Sequence, residues 1–138
     1  MTWLGLSLMT VALWTGWSFL GKIALKETAP LQATIIFGLA SVAVGVVSLA
    51  LIDHGALSWS PGSVWLTVVS ATLGGAGLVT FYLALERGKA SNVTPIIGMY
   101  PALVAVLSVA FLSERLTGVQ VLGVALAITG VVLVGSGG

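Results

Sequence analysis

Residues 28–52 read TAPLQATIIFGLASVAVGVVSLALI, twenty-five positions without an Asp, Glu, Lys or Arg. Wound as an α-helix, about 20 such residues cross the ~30 Å hydrocarbon core of a bilayer. Pro30 suits the first turn of that helix, where its missing N–H has no intrahelical partner anyway.

The same pattern runs outward in both directions. The chain has nine charged side chains, clustered as Lys22/Lys26/Glu27, Asp53, Glu86/Arg87/Lys89 and Glu114/Arg115. Between the clusters lie uncharged stretches at 1–21, 28–52, 54–85, 90–113 and 116–138. Charged residues make up 7% of the chain, where a water-soluble domain carries about a quarter. The reading is an all-α membrane protein, a five-transmembrane-helix bundle with almost nothing outside the lipid. Its helices are expected at about 3–21, 30–52, 61–85, 93–112 and 117–135, in a single domain spanning 1–138. Loops are short, so successive helices should be antiparallel neighbours.

Local signals support this division. Ser60-Pro61 repeats the start logic of Pro30, and Thr117 with Gln120 can form a capping box at the fifth helix. The tail Gly135-Ser136-Gly137-Gly138 closes the chain and is expected to fray. The first stretch lacks a basic n-region, and bulky Trp14, Trp17 and Phe19 replace the small residues of a cleavage site. It reads as a retained helix, not as a signal peptide.

Orientation follows from the loops. One side carries Lys22, Lys26, Arg87 and Lys89, the other Arg115 alone. Cations accumulate on the cytoplasmic side. The N-terminus is therefore expected outside and the C-terminus in the cytoplasm, in the inner (plasma) membrane. Trp3, Trp59 and Trp65 then lie at the outer interface as aromatic anchors. His54 beside Asp53 reads as a wet loop residue.

Composition also excludes function classes. A net charge of +1 without a basic cluster argues against nucleic acid. There is no cysteine and a single histidine. No nucleophile–base pair or metal set emerges, so neither an enzyme nor a cofactor or metal is expected.

Polar residues within the spans are the sites to weigh, because lipid cannot satisfy them and they should face the bundle interior or water. Ser7, Thr10, Trp14, Trp17/Ser18 and Gly21 share one face of the first helix. Mid-span Trp14 needs an acceptor for its indole N–H. It reads either as a packed aromatic or as the wall of a substrate cavity. Gly74, Gly75 and Gly77 in the third helix read as a tight packing surface, a flexing point, or both. In the fourth helix Pro95 falls in the first turn, whereas Pro101 is internal and should kink the helix near 97–101, with Gly98 between the two prolines and Tyr100 beside the kink. Such a break is tolerated inside protein or beside a watery cavity, and it points towards a transporter site or a structural kink. Gly123, Ala127, Gly130 and Val134 form a small-residue contact stripe on the fifth helix. Lys22, Glu86, Arg87, Gln32, Tyr82 and Asn92 make the cytoplasmic end the more polar one. That end reads as a solvated mouth, or as a gate or ion-coupling site at Lys22 and Glu86.

Three stretches carry a family resemblance. They are Trp14-Thr15-Gly16-Trp17-Ser18-Phe19 with Lys22; Phe81-Tyr82-Leu83-Ala84-Leu85-Glu86-Arg87-Gly88-Lys89-Ala90; and Tyr100-Pro101-Ala102-Leu103 followed by Phe111-Leu112-Ser113-Glu114-Arg115-Leu116-Thr117, Gln120, Gly123 and Gly130-Val131. In this order the chain resembles the EamA-like domain of the drug/metabolite transporter superfamily. The resemblance implies a carrier of small metabolites or drugs working by alternating access. It also implies a chain of ten helices built as two inverted five-helix repeats, of which one is present. Assembly with a second copy or a related five-helix chain is therefore implied. So is a central cavity faced by Trp14, Trp17, Tyr82 and Tyr100, with Glu114/Arg115 closing a loop. The expected partners are the lipid bilayer, a small-molecule substrate and that second unit. Parallel, antiparallel and dual-topology assemblies all stay open. The rival reading is a non-transporting membrane subunit that stabilises a partner complex or a lipid-handling enzyme.

Overall fold

A computed structural model describes residues 2–52 and 60–137. Trp59, Asp53, His54 and the terminal Gly138 lie outside the described residues. Among the described residues the secondary structure is helical: α1 (Trp3–Ala24), α2 (Pro30–Leu51), α3 (Pro61–Arg87), α4 (Ala90–Ile97), α5 (Tyr100–Phe111) and α6 (Gly118–Ser136). Counting Ala90–Phe111 as one span, five segments are long and apolar enough to cross a membrane.

The helix starts are set by local side chains. Thr2 Oγ1 accepts from the Gly5 N–H at 3.2 Å and opens α1. Gln32 Oε1 accepts from the Ala29 N–H at 3.2 Å, and Pro30 occupies the first turn of α2. The capping box expected at α6 is formed. The Thr117 N–H donates to Gln120 Oε1 at 2.8 Å and the Gln120 N–H returns to Thr117 Oγ1 at 3.3 Å.

Three boundaries differ from the sequence expectation by two residues or more. α1 continues past Lys22 to Ala24, and α3 past Glu86 to Arg87. Charge alone marked these positions as loop, but a cation in the last turn of a helix faces the partial negative charge of its carboxyl end. The connection from α3 to α4 shrinks to Gly88-Lys89, because α4 begins at Ala90. Pro95 is consequently inside α4 and not in its first turn. It removes the donor for the Ser91 carbonyl, a loss the short helix absorbs.

The interruption expected near 97–101 is a complete break. Gly98 and Met99 separate α4 from α5, and Pro101 falls in the first turn of the new helix, where its ring is compatible. A Cβ at Gly98 would lie 3.1 Å from the Pro95 carbonyl oxygen and 3.3 Å from that of Thr94. The turn is therefore built around the missing side chain.

The hydroxyls inside the spans mostly satisfy themselves. Ser7, Thr10 and Thr15 donate to carbonyls four residues back at 2.9, 3.0 and 2.7 Å, and Ser41, Ser48, Thr72 and Thr129 do the same. These side chains are exposed. Self-satisfaction removes the need for the interior or watery surroundings expected of them.

The chain divides into two compact units, residues 1–87 and 88–138. In the first, α3 packs against both α1 and α2; in the second, α6 packs against α4 and α5. Gly123 and Ala127 of the small-residue stripe line an open groove with Gly98, Pro101 and Ala102. Gly130 has open space where a Cβ would point.

Candidate functional site

The densest side-chain arrangement lies in the first unit, where the last turns of α1 and α3 meet. Trp17 is its hub. Its ring stacks on Phe81 with centroids 5.0 Å apart, meets Tyr82 edge-on at 6.3 Å, and tilts against Phe37 of α2 at 5.7 Å. These spacings fall in the range where aromatic pairs attract. The Trp17 indole N–H donates to the Tyr82 hydroxyl at 3.3 Å, which gives this part-buried indole the acceptor it needs. Tyr82 is 4% exposed, and Phe81 and Leu85 are buried beside it.

Gly21 makes the approach possible, since a Cβ there would sit 3.2 Å from Tyr82 Cε1. One residue on, the Lys22 ammonium donates to the Leu85 carbonyl. That carbonyl belongs to the last turn of α3, where carbonyls lack intrahelical partners. Lys22 also lies in the last turn of α1, so one ammonium complements two helix carboxyl ends. The hydrogen bonds and ring contacts between α1 and α3 fall between 17–22 and 81–85. Further back along α3, a Cβ added at Gly74, Gly75 or Gly77 would meet nothing within 4 Å. The tight packing expected at these glycines is absent there.

Of the four aromatic residues expected to share a cavity, the structure brings together Trp17 and Tyr82. Trp14 is 55% exposed, and its indole N–H finds no acceptor among the described residues. Tyr100 belongs to the second unit, opens α5 and is 45% exposed. Glu86 is exposed on the last turn of α3. The sequence reading gave no site role to Phe37 or Phe81 and did not separate Ser18 and Gly21 from their neighbours. The signal for the latter pair was available: Gly21 follows Trp17 by four residues and Lys22 follows Ser18 by four.

Five apolar spans, with a polar and aromatic clasp between α1 and α3, define a multi-pass membrane protein. The chain belongs to the EamA-like transporter family, which it matches over residues 1–136. That family is one of membrane transporters of the drug/metabolite superfamily. The chain is also 42% identical over 66 residues to the uncharacterized protein MJ1333.1 of Methanocaldococcus jannaschii, a match covering 48% of this chain and 48% of that protein. The match thus spans about half the length of that relative. No solved structure matches the chain.

Proposed function

We propose that this chain carries a small metabolite or drug across the inner membrane by alternating access, as a homodimer or beside a related five-helix chain. One observation carries the reading. α1 and α3 are clasped through residues 17–22 and 81–85, while Gly74, Gly75 and Gly77 face open space. A helix pair held at one end and loose at the other is suited to a rocking motion. Trp17 and Tyr82 close the pathway and Trp14 supplies exposed aromatic surface to it. In the second unit, Gly98 with Pro101 forms the hinge of the fourth span. Lys22 holds the gate, and Glu86 sits at its mouth. The unburied faces of two helices leave room for a partner chain. α6 buries none of its residues and α2 buries Pro30 alone, so both leave apolar faces for lipid or another unit.

The test is solute flux in proteoliposomes containing the purified chain. Flux should exceed that of empty vesicles and fall at least about 10-fold in Tyr82→Ala and in Trp14→Ala. If the chain alone moves nothing but consistently co-purifies with another membrane protein, it is a non-transporting subunit. The cysteine-free sequence permits single-site labelling. Lys89→Cys should label from the cytoplasmic side and Glu114→Cys from outside, as the cation bias predicts. Labelling of each from both sides would assign two orientations and an antiparallel pair.

A further inference from the structure

An open groove of about 440 Å³ runs along the start of α2, lined by Thr28, Gln32, Ile35 and Ile36. Small-molecule sites occupy about 300–1,000 Å³, and one water takes about 30 Å³, so the groove has room for more than a bound water. Steps of three and four residues put the four side chains on one stripe. The stripe changes character along its length. Thr28 and Gln32 make one end polar, and two exposed isoleucines make the other apolar.

The polar end holds unused donors. Ser7, Thr10 and Thr15 of α1 and Thr34 of α2 donate their hydroxyls to their own helices. The half-buried Thr28 hydroxyl makes no hydrogen bond among the described residues. Gln32 uses its Oε1 to accept from the Ala29 N–H, and its amide NH2 donates to nothing among the described residues. One O–H and two N–H groups therefore face the groove's surroundings without an acceptor. Lys26 and Glu27 are exposed in the preceding turn and are not part of the lining. Their charges are opposite, so this end selects by hydrogen bonding and not by net charge.

Depth in the membrane matches the change in character. The span begins at Pro30. Each headgroup layer is about 5–7 Å thick, and a helix rises about 1.5 Å per residue. Gln32 thus lies at headgroup level, and Ile35 and Ile36, about 5 Å further along the axis, reach the top of the acyl chains. A neighbouring helix could cover the isoleucines, but its backbone acceptors are spent on its own hydrogen bonds. A molecule with a free acceptor at the interface and a hydrocarbon chain beneath it meets both ends.

We infer that this groove holds one phospholipid, with its phosphate accepting from Thr28 Oγ1 and the Gln32 amide and an acyl chain lying on Ile35 and Ile36. The inference needs α2 to be a membrane span and does not depend on the transport reading.

Native mass spectrometry of the purified chain, titrated with phosphatidylglycerol, phosphatidylcholine and diacylglycerol of identical acyl chains, tests it. The two phospholipids should bind within about fivefold of each other, and each at least about 10-fold more tightly than diacylglycerol, as expected for hydrogen bonds to a charged group. Gln32→Glu keeps the acceptor for the Ala29 N–H, and with it the helix start, but replaces the donating amide by a carboxylate that repels phosphate. It should weaken both phospholipids at least about 10-fold and leave diacylglycerol unchanged. Thr28→Val, which removes a hydroxyl without a partner among the described residues, should weaken them about 10-fold. A smaller gap between phospholipids and diacylglycerol overturns the inference, as does a Gln32→Glu chain that binds as the parent does. A larger preference for phosphatidylglycerol would assign the contact to the charge of Lys26 and overturn it too. Displacement of the lipid by excess inorganic phosphate would reveal an anion site indifferent to the acyl chain, with the same consequence. The order of the three lipids in the unsubstituted chain decides the matter even if a variant fails to fold.

Discussion

The two units solve the same problem with different means. Residues 1–87 are joined by side chains far apart in sequence: Trp17 reaches Tyr82 across 65 positions and Lys22 reaches Leu85 across 63. Residues 88–138 are shaped by devices a few residues long. These are the turn at Gly98, the Thr117/Gln120 box three residues apart, and the left-handed Ser113 that follows α5. No ring–ring contact occurs among the described residues of the second unit, where the first has four. In a bilayer, burying apolar area between helices brings little gain, since lipid tails are equally apolar. What remains is packing shape and hydrogen bonding. The first unit draws on them across helices, the second within the backbone.

The sharpest way to break this contrast is to remove the hub of the first unit. Tyr82→Ala deletes a nearly enclosed ring touching Trp17 and Phe81, and should cost about 3 kcal/mol of stability. Tyr82→Phe keeps the ring and loses the acceptor for the Trp17 indole, at about 1 kcal/mol. Unfolding in mixed micelles by titration with denaturing detergent would measure both. Equal losses would mean that the hydrogen bond, not the ring packing, holds the clasp.

Lys22→Met is the next largest. The apolar stem is preserved, but the Leu85 carbonyl loses its donor and two helix carboxyl ends lose a complementary charge. The expected cost is about 2 kcal/mol, measured in the same titration. Fluorescence of Trp17 should shift in parallel as the end of the clasp loosens. A variant as stable as the parent chain would show that the aromatic hub suffices.

This difference in range also explains what the sequence could tell. Uncharged runs such as 28–52 disclosed five spans, because a bilayer admits few alternatives to a long apolar helix. Pro101 and Gly98 disclosed the break, and Thr117 with Gln120 the cap, because each acts within one turn of itself. The clasp was harder to read. Trp17 and Tyr82 were both candidates, but nothing local says that the indole of one meets the hydroxyl of the other. Trp14 and Trp17 looked equivalent on one face, and only the approach of α3 makes one a hub and leaves the other exposed. Charge misled at Lys22 and Arg87, where a cation read as loop instead completes a helix end.

Glycine substitutions sharpen the same contrast at a smaller scale. At Gly98 a methyl group would press on two backbone carbonyls, which cannot step aside as a side chain would. Gly98→Ala should therefore cost about 1 kcal/mol, even after the gain from restricting the unfolded chain. Gly75, on a helix with open space beside it, should respond in the opposite sense, gaining about 1 kcal/mol as alanine. If alanine stabilises both positions, the break after α4 is flexible enough to re-form, and its description as a fixed turn fails.

The smallest effect expected lies at Ser113, whose φ of 57° is the one positive value outside glycine among the described residues. A left-handed serine carries a steric cost of about 1–2 kcal/mol, and glycine would remove it. Glycine in turn adds about 0.5–1 kcal/mol of backbone entropy to the unfolded chain. Ser113→Gly should thus stabilise the second unit by about 0.5 kcal/mol, the difference between these two terms. The Glu114 N–H, which reaches back to the Ser108 carbonyl at 3.4 Å, should gain protection from hydrogen exchange as the turn relaxes. The stabilities of Tyr82 and Lys22 variants should be unmoved by it, since sites without shared partners add. Coupling between Ser113→Gly and Lys22→Met would instead show that the two units share their free energy of folding, and that the local devices of one depend on the clasp of the other.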